Sequence, residues 1–234
     1  MCLWRASWHA FRIYSFPAWH RGQPQESFGY HGPIQDVKGV QKVIGCLAAL
    51  SRFISRLGEK ALPLYRLLKK AAHFAYTIEA EEALDKLKRM LTTALILVHP
   101  RPIEPLLLYV VLTTQVISAA VVVERPEEGH ALPVERAIYL ISEVLSETKV
   151  RYPQIQKLIY SVILTRRKLH HYFLGHPITV VSSFPLGEII QNREATRRIA
   201  KWSVELMGET LTYAPCKPIK SQALADFIAE WTNT

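Results

Sequence analysis

Aspartate is almost missing from the second half of the sequence, since none occurs between Asp85 and Asp226. The stretch RYPQIQKLIYSVILTRRKLHHYFLG, residues 151–175, contains no glutamate either. Its apolar residues recur at spacings of three and four, which predicts a helix, and Pro153 and Gly175 suit the two ends of that helix. A metal-dependent active site built from clustered aspartates is therefore not favoured in this region.

Cysteine is also scarce. Cys2, Cys46 and Cys216 are far apart and form no CxxC pair, which argues against a disulfide scaffold or a structural zinc site and favours a reducing compartment. The first residues lack the continuous apolar region and the small-residue cleavage site of a signal peptide. We therefore expect an intracellular protein that is not secreted, in the cytoplasm or the nucleus.

Several kinds of site are missing from the sequence. There is no glycine-rich phosphate loop, no nucleophile elbow and no pair of polymerase-type aspartates. His170, His171 and His176 form the densest histidine group, but no acid or cysteine accompanies them. Solvated or phosphate-facing histidines are therefore favoured over a metal site.

One long apolar run, residues 106–123, is about long enough to span a membrane. Thr113, Thr114 and Gln115 lie at its centre, and its two halves are rich in Val and Leu. Two buried strands joined by a tight turn fit this pattern better than a membrane helix, so no membrane partner is predicted.

The net charge of +9 is unevenly distributed. Residues 37–72 carry eight Lys and Arg against one acid, and residues 151–202 carry nine against two. Residues 73–150 carry eleven acids against seven bases. Two separate basic blocks are typical of a nucleic-acid interface, although solvated helix faces would give the same pattern.

The periodicity changes along the chain from helical to strand-like. Residues 33–70 predict two or three short amphipathic helices broken near Gly58 and Pro63, and residues 79–92 predict a longer one with Ala83, Leu84, Leu87 and Leu91 inside. Strands are predicted at residues 106–112, 116–124, 137–142, 177–183 and 211–215, with helices at 153–175 and 195–207. Three strands, a helix, a strand, a helix and a last strand predict one mixed sheet with helices against it.

Several phrases of the sequence carry a specific resemblance. They are SRFISRLGEKALPLYRLLKK, RYPQIQKLIYSVILTRRKLHHYF, ITVVSSFPLGEII and KSQALADFIAEWT. The first resembles the thumb-side end of reverse transcriptase in gypsy-type LTR retrotransposons. The next two resemble the ribonuclease H-like segment that follows it in plant elements, and the last resembles the join to a second ribonuclease H domain. The resemblance covers about residues 33–234.

The resemblance implies an α/β fold of the ribonuclease H-like kind, with a five-stranded mixed sheet, flanking helices and a small helical thumb-like segment in front of it. The expected division is an atypical, irregular segment at 1–32, the thumb-like segment at 33–72, the ribonuclease H-like domain at 73–215 and a tail at 216–234. This tail would lead toward a further ribonuclease H domain.

Ribonuclease H chemistry uses carboxylates from the first strand, the first long helix and the fourth strand to hold two Mg²⁺ ions about 4 Å apart. In this sequence the resemblance places those positions at Val111 or a neighbour, at Leu158, and at Ser182 or Ser183. None of them is acidic, and neutral side chains cannot hold the metals. Glu104, Glu124, Glu143 and Glu188 are predicted at strand edges or turns. We therefore expect no Mg²⁺ site and no cofactor.

Three hypotheses for the function follow. The first is an inactive connection module that contacts an RNA–DNA or DNA duplex weakly and without sequence preference, together with the remaining polyprotein domains. The others are a retroelement remnant without function and an active metal-dependent ribonuclease H. The candidate phosphate contacts of the connection module are Lys38, Lys42, Arg52, Arg56, Arg166, Arg167, Arg197, Arg198 and Lys201.

Overall fold

Short helices at the start of the chain share a small apolar core. The computed structural model describes residues 34, 36–69, 74–92, 97–129, 133–191 and 197–215. The helices are α1 (Val37–Ala49), a 3-10 turn (Ser51–Phe53), α2 (Leu57–Lys60), α3 (Leu62–Lys69) and α4 (Ile78–Thr92). Val40 of α1, Leu64 of α3 and Leu87 of α4 are fully buried in one cluster. We call α1–α4 the helical segment.

The breaks between these helices differ from the prediction. The chain turns between Leu50 and Arg56 and again at Ala61, whereas Gly58 and Pro63 lie inside helices. Arg56 adopts the left-handed conformation, with φ of 53°, directly before α2. Pro63 lies in the first turn of α3, where a missing N–H group leaves no hydrogen bond unmade. Proline therefore helps to begin a helix here rather than to break one.

Helix α4 packs with the three helices before it. The prediction that Leu84, Leu87 and Leu91 face inward is confirmed, and Ala80 is more deeply buried than the predicted Ala83. All four buried residues belong to the apolar cluster of the helical segment. This packing favours a boundary after α4, whereas the boundary at residue 73 stays a prediction.

Five strands form one mixed sheet, as predicted. They are β1 (Leu106–Leu112), β2 (Val116–Arg125), β3 (Val134–Val144), β4 (Ile178–Ser182) and β5 (Leu211–Pro215). Their order across the sheet is β3-β2-β1-β4-β5. Strands β1, β2 and β3 pair antiparallel, while β4 is parallel to both β1 and β5. The apolar run of residues 106–123 therefore forms two paired strands, as expected.

The helices of the sheet domain, residues 97–215, connect these strands. They are α5 (Glu147–Val150), α6 (Gln154–Lys168), α7 (His170–Gly175), α8 (Leu186–Gln191) and α9 (Arg197–Leu206). The predicted helix at 153–175 is interrupted at Leu169, whose buried side chain leaves the helical conformation with φ of −120° and ψ of 36°. Helix α6 supplies the crossover from β3 to the parallel strand β4.

The two faces of the sheet carry different clusters, because successive side chains of a strand point to opposite faces. Leu108, Val110 and Val180 pack in one cluster with residues of α6, and we call this side the helix-covered face. Tyr109 and Val181 belong to a separate buried cluster on the second face.

The helical segment meets the second face through a chain of hydrogen bonds that we call the serine joint. The backbone N–H of Gly58 donates to Ser142 Oγ at 2.9 Å, and Ser142 Oγ lies 2.9 Å from Ser118 Oγ. A Cβ at residue 58 would lie 2.9 Å from Ser142 Oγ and 3.1 Å from Val116 Cγ1. This close approach explains why a glycine occupies a helix at this point.

The outer edge of β3 is covered. The N–H of Val98 donates to the Ala137 carbonyl at 2.9 Å, and the 3-10 turn and α2 lie against the same strand. The register of β3 against β2 also shifts between Val121 and Val122, which marks a bulge. Both features limit pairing of this edge with another chain.

The predicted irregular segment at 1–32 and the tail at 216–234 lie outside the described residues. Within the described ranges, no helix is both long and apolar enough to cross a membrane.

Candidate nucleic-acid interface

Leu158 packs where the resemblance expects a helix carboxylate. Its side chain is 3% exposed and lies on the sheet side of α6, in one cluster with Ile159 and Val162. The spacing of these residues gives α6 a broad buried face, so an apolar side chain at this position strengthens the core. The position is part of the packing between α6 and the sheet.

Ser182 and Ser183 behave differently. Ser182 is buried at the end of β4, and its Oγ accepts a hydrogen bond from the Phe184 N–H at 3.1 Å. Because it is two residues beyond Val180, Ser182 lies on the helix-covered face, the face against which Leu158 packs. Ser183 is exposed. The hydroxyl of Ser182 therefore closes the turn after the strand.

Val111 lies on the opposite face of the sheet from Leu158 and Ser182. It belongs to the cluster of the second face, together with Tyr109, whereas Val110 and Leu112 contact the helix-covered face. A shift of one residue along a strand moves a side chain to the opposite face. The neighbours Val110 and Leu112 therefore fit the position of the first-strand carboxylate better than Val111 does, and both are apolar.

Glu143 lies on the helix-covered face, since it pairs across the strands with Ile117. Its carboxylate is surrounded by donors: Lys149 Nζ lies 3.3 Å away, Lys168 Nζ lies 3.6 Å away, and the Tyr160 hydroxyl donates to it at 3.1 Å. Lys149 Nζ also donates to the Tyr160 oxygen. Burial raises the pKa of Tyr160, which keeps this hydroxyl protonated. Glu143 is therefore engaged in a cationic cluster.

A metal site is not assembled elsewhere in the described residues either, where no group of three or more His, Cys, Asp or Glu side chains could hold an ion. His170 and His171 are exposed, and His176 Nδ1 lies 2.9 Å from the Glu104 carbonyl oxygen. Lys157, next to Leu158, is buried and donates to the Thr114 carbonyl at 3.0 Å. His176 and Lys157 therefore contact backbone carbonyls in the segments that flank the strands.

Three of the predicted phosphate contacts are ion-paired within the chain. Arg56 is 5% exposed and donates through Nε to Glu59 at 2.8 Å. Arg166 donates to Glu209 at 2.8 Å, and Arg167 holds both oxygens of Glu205 at 2.8 and 2.7 Å. The hydrogen bond with Arg167 lowers the pKa of Glu205. Arg166 and Arg167 join the end of α6 to α9 and the residues that follow it, and Arg56 stabilises α2. A phosphate would have to displace a carboxylate from each of these arginines.

Two more predicted contacts stack on aromatic rings. The Arg198 guanidinium lies 4.1 Å from the centre of the Tyr152 ring and donates to Gln156 at 2.7 Å. The Arg52 guanidinium lies over the rings of Phe53 and Tyr139, at 5.2 and 5.4 Å. Each cation is thereby held against the protein surface by an attraction of about 0.5–2 kcal/mol.

The remaining four candidates are exposed, and they form two pairs. Lys38 and Lys42 are four residues apart on α1, and Arg197 and Lys201 are four residues apart on α9. Residues at this spacing lie on one helix face, so each pair presents two positive charges on the same side. Of the nine residues predicted from the sequence, these four are the best placed for phosphate contact.

A buried acid, Glu135, was not predicted from the sequence. It is 5% exposed on β3 and accepts a hydrogen bond from the Tyr109 hydroxyl at 2.6 Å, while its other oxygen is buried and has no hydrogen-bond partner among the described residues. Glu135 pairs with Glu124 and lies on the second face, away from Leu158. Alternation of apolar residues along β3 was the only signal that could have placed it inside.

A known protein family matches the central part of the chain. Residues 76–180 match the family model of the RNase H-like domain found in reverse transcriptase. That stretch contains β1, β2, β3, α6 and the start of β4. Over these residues the chain is similar to the RNase H-like domain of reverse transcriptases. The prediction of such a domain is thus confirmed, whereas its bounds at 73–215 stay a prediction.

The sequence relatives are polyproteins. The chain is 26% identical over 213 residues to the Gag-Pol polyprotein of Gibbon ape leukemia virus, covering 83% of the chain and 12% of the polyprotein. It is 26% identical over 179 residues to the retrovirus-related Pol polyprotein from transposon 297 of Drosophila melanogaster, covering 76% of the chain and 16% of that polyprotein. The chain therefore spans only a small part of these relatives.

Solved structures show the same fold. The foamy viral protease-reverse transcriptase dRH in complex with ds DNA superimposes with a TM-score of 0.67 at 18% identity, covering 86% of this chain and 36% of that one. The foamy viral enzyme in complex with an RNA/DNA hybrid gives a TM-score of 0.67 at 19% identity, covering 86% and 27%. This chain therefore shares the RNase H-like fold with these reverse-transcriptase structures.

Proposed function

We propose that this chain is a catalytically inactive connection module of a retroelement reverse transcriptase, and that it contacts a nucleic-acid duplex through the phosphate backbone. The packing of Leu158 carries the proposal. An RNase H-like domain with a buried leucine at the helix position, and a loop-closing serine at the strand position, lacks the groups that bind catalytic metals.

The missing carboxylates have no substitute in the sequence. No aspartate lies between Asp85 and Asp226, and Glu143 on the helix-covered face is neutralised by Lys149 and Lys168. Two-metal catalysis needs several acids that converge on both ions, because the metals activate the water and stabilise the leaving oxygen. Loss of all of them favours a structural role for the domain.

Duplex binding is supported by the exposed pairs Lys38–Lys42 and Arg197–Lys201, and by the bound double-stranded DNA and RNA/DNA hybrid of the foamy viral structures. Contacts from these side chains to phosphates carry no sequence information, so the expected binding is independent of sequence. It is also expected to be weak, because only a few phosphates would be neutralised.

A gypsy-type element of a plant is the proposed origin. The phrases around residues 51–70 and 151–173 support it, and transposon 297 is one of the polyprotein relatives. Genomic sequence on both sides of the reading frame would test the origin. Palm motifs upstream and an acidic ribonuclease H downstream are the expected finding.

The activity is tested with an RNA–DNA hybrid labelled on the RNA strand, in Mg²⁺ and in Mn²⁺. We expect no cleavage. Cleavage that persists through repurification and disappears in a Ser182 or Glu143 variant would establish an active nuclease instead. Fluorescence anisotropy with the same hybrid and with duplex DNA tests binding. Absence of binding at low salt would favour a remnant without function.

A further inference from the structure

A groove lies between the helical segment and the top of the sheet domain. Its volume is about 530 Å³, and it is lined from one side by α3 and from the other by the turn between β1 and β2, the end of β3 and α5. Leu62 and Leu145 contribute apolar surface to its lining. A volume of about 300–1,000 Å³ with a mainly apolar wall is typical of sites for small molecules and cofactors.

Polar groups at the groove have free hydrogen-bonding capacity. Arg66 on α3 and Arg151 after α5 are both exposed and lie in the lining, and among the described residues neither side chain takes part in an ion pair or hydrogen bond. Gln115, in the turn between β1 and β2, is exposed in the same lining. Tyr65 adds a half-buried ring, and burial raises its pKa, so the phenol stays neutral. Two cations, an amide and a phenol therefore surround an apolar wall.

The charge of the groove indicates the kind of ligand. Its lining has two arginines against one carboxylate, Glu147, so it favours an anion. Arginine guanidinium groups bind phosphate with two parallel hydrogen bonds. The aromatic ring and the apolar wall can stack against a flat, uncharged ring system attached to that anion. The amide of Gln115 can form hydrogen bonds with the polar edge of such a ring.

We propose that this groove binds one nucleotide of an unpaired strand, with the phosphate between Arg66 and Arg151 and the base against Tyr65 and the apolar wall. The proposal rests on the proposed function, since it names the part of the nucleic acid that the duplex-binding module would hold next to the thumb-like helices. An acidic peptide with an aromatic residue has related chemistry, but a peptide chain needs a longer track than a groove of this volume offers.

The test compares a blunt-ended duplex with the same duplex carrying a short oligothymidine overhang, by fluorescence anisotropy at one salt concentration. For the native chain, we expect the overhang to raise the affinity about tenfold, the effect of one stacked base. The double variant Arg66→Gln with Arg151→Gln should lose this gain. The control variant Lys86→Gln with Lys88→Gln removes the same charge from α4, outside the groove, and should keep the gain.

A second measurement locates the base. An overhang with 4-thiothymidine should cross-link to the peptide that contains Tyr65, and Tyr65→Leu should abolish the cross-link while circular dichroism shows an intact fold. An overhang that adds no affinity, or a loss that is equal for both duplexes in the groove variant, would overturn the proposal.

The two proposals fail in different ways. If the blunt duplex does not bind, the duplex-binding function fails, and a free oligothymidine strand then tests the groove alone. Competition for the groove by an acidic, tyrosine-containing peptide but not by oligothymidine would assign the groove to a peptide and overturn the nucleotide proposal.

Discussion

The backbone N–H of Gly58 donates to the hydroxyl of Ser142, which lies 84 residues further along the chain, at 2.9 Å. This hydrogen bond joins the helical segment to the second face of the sheet, and Ser118 extends it into β2. A larger side chain at residue 58 would therefore disturb the contact between the two parts of the chain.

Gly58→Ala should destabilise the protein by about 1–3 kcal/mol, since overpacking forces neighbouring groups apart and outweighs the better helix propensity of alanine. The added Cβ would lie 2.9 Å from Ser142 Oγ. Urea denaturation measures the change. Gly175→Ala is the matched control, because no atom of the described residues lies within 4 Å of its Cβ position. A neutral Gly58→Ala would show that the joint yields easily.

Leu158→Glu should destabilise the protein by about 2–4 kcal/mol, because it buries an unpaired carboxylate in the core. Leu158 is 3% exposed, whereas Leu174 on α7 is 69% exposed. Leu174→Glu, the same substitution at an exposed site, should change the free energy of unfolding by less than about 0.5 kcal/mol. Equal melting temperatures for the two variants would place Leu158 outside the core.

Acid should weaken the contact between Glu104 and Arg125. The hydrogen bond from Arg125 is the main cause that lowers the pKa of Glu104 from 4.5 to about 2. Because the pKa of the folded state is the lower one, this stabilisation is present above pH 4.5 and is lost as the pH falls toward 2. Glu104→Gln should flatten the dependence of stability on pH in that window, measured by urea denaturation. Glu188→Gln, an exposed control, should leave the dependence as in the native chain.

Salt dependence should separate the exposed cations from the paired ones. Replacing Lys38, Lys42, Arg197 and Lys201 by glutamine should reduce the slope of log affinity against log salt by up to about 0.9 for each phosphate that is no longer neutralised. Replacing Arg166 and Arg167 should instead lower the melting temperature, since Glu205 and Glu209 would be left without their partners. A slope unchanged by the first set would move the binding surface to other cations.

The sequence was sufficient for the order of the elements, because the change from a period near 3.6 to strand-like runs is a local property. It placed β1, β5 and α4 within one residue of their bounds. It could not predict the interruption at Leu169, since that break depends on how the side chain packs against the sheet.

The candidate site was less predictable. The pairs Arg166–Glu209 and Arg167–Glu205 join residues 43 and 38 positions apart, and a charge count along the sequence cannot distinguish such arginines from free ones. Val111 differs from its neighbours only in the face of the sheet to which it points, which requires the strand register. Burial of Leu158 was predictable from its spacing with Val162.

The packing of the 3-10 turn and α2 on β3 limits where the chain can be truncated for expression. A fragment that begins after α4 would keep all five strands but lose the 3-10 turn and α2 that lie against β3, together with the donor for Ser142. The second face of its sheet would then expose the apolar surface that these elements cover, and an exposed apolar surface promotes self-association. Such a fragment should elute from size-exclusion chromatography as oligomers, whereas a chain that retains residues 36–92 should elute as a monomer.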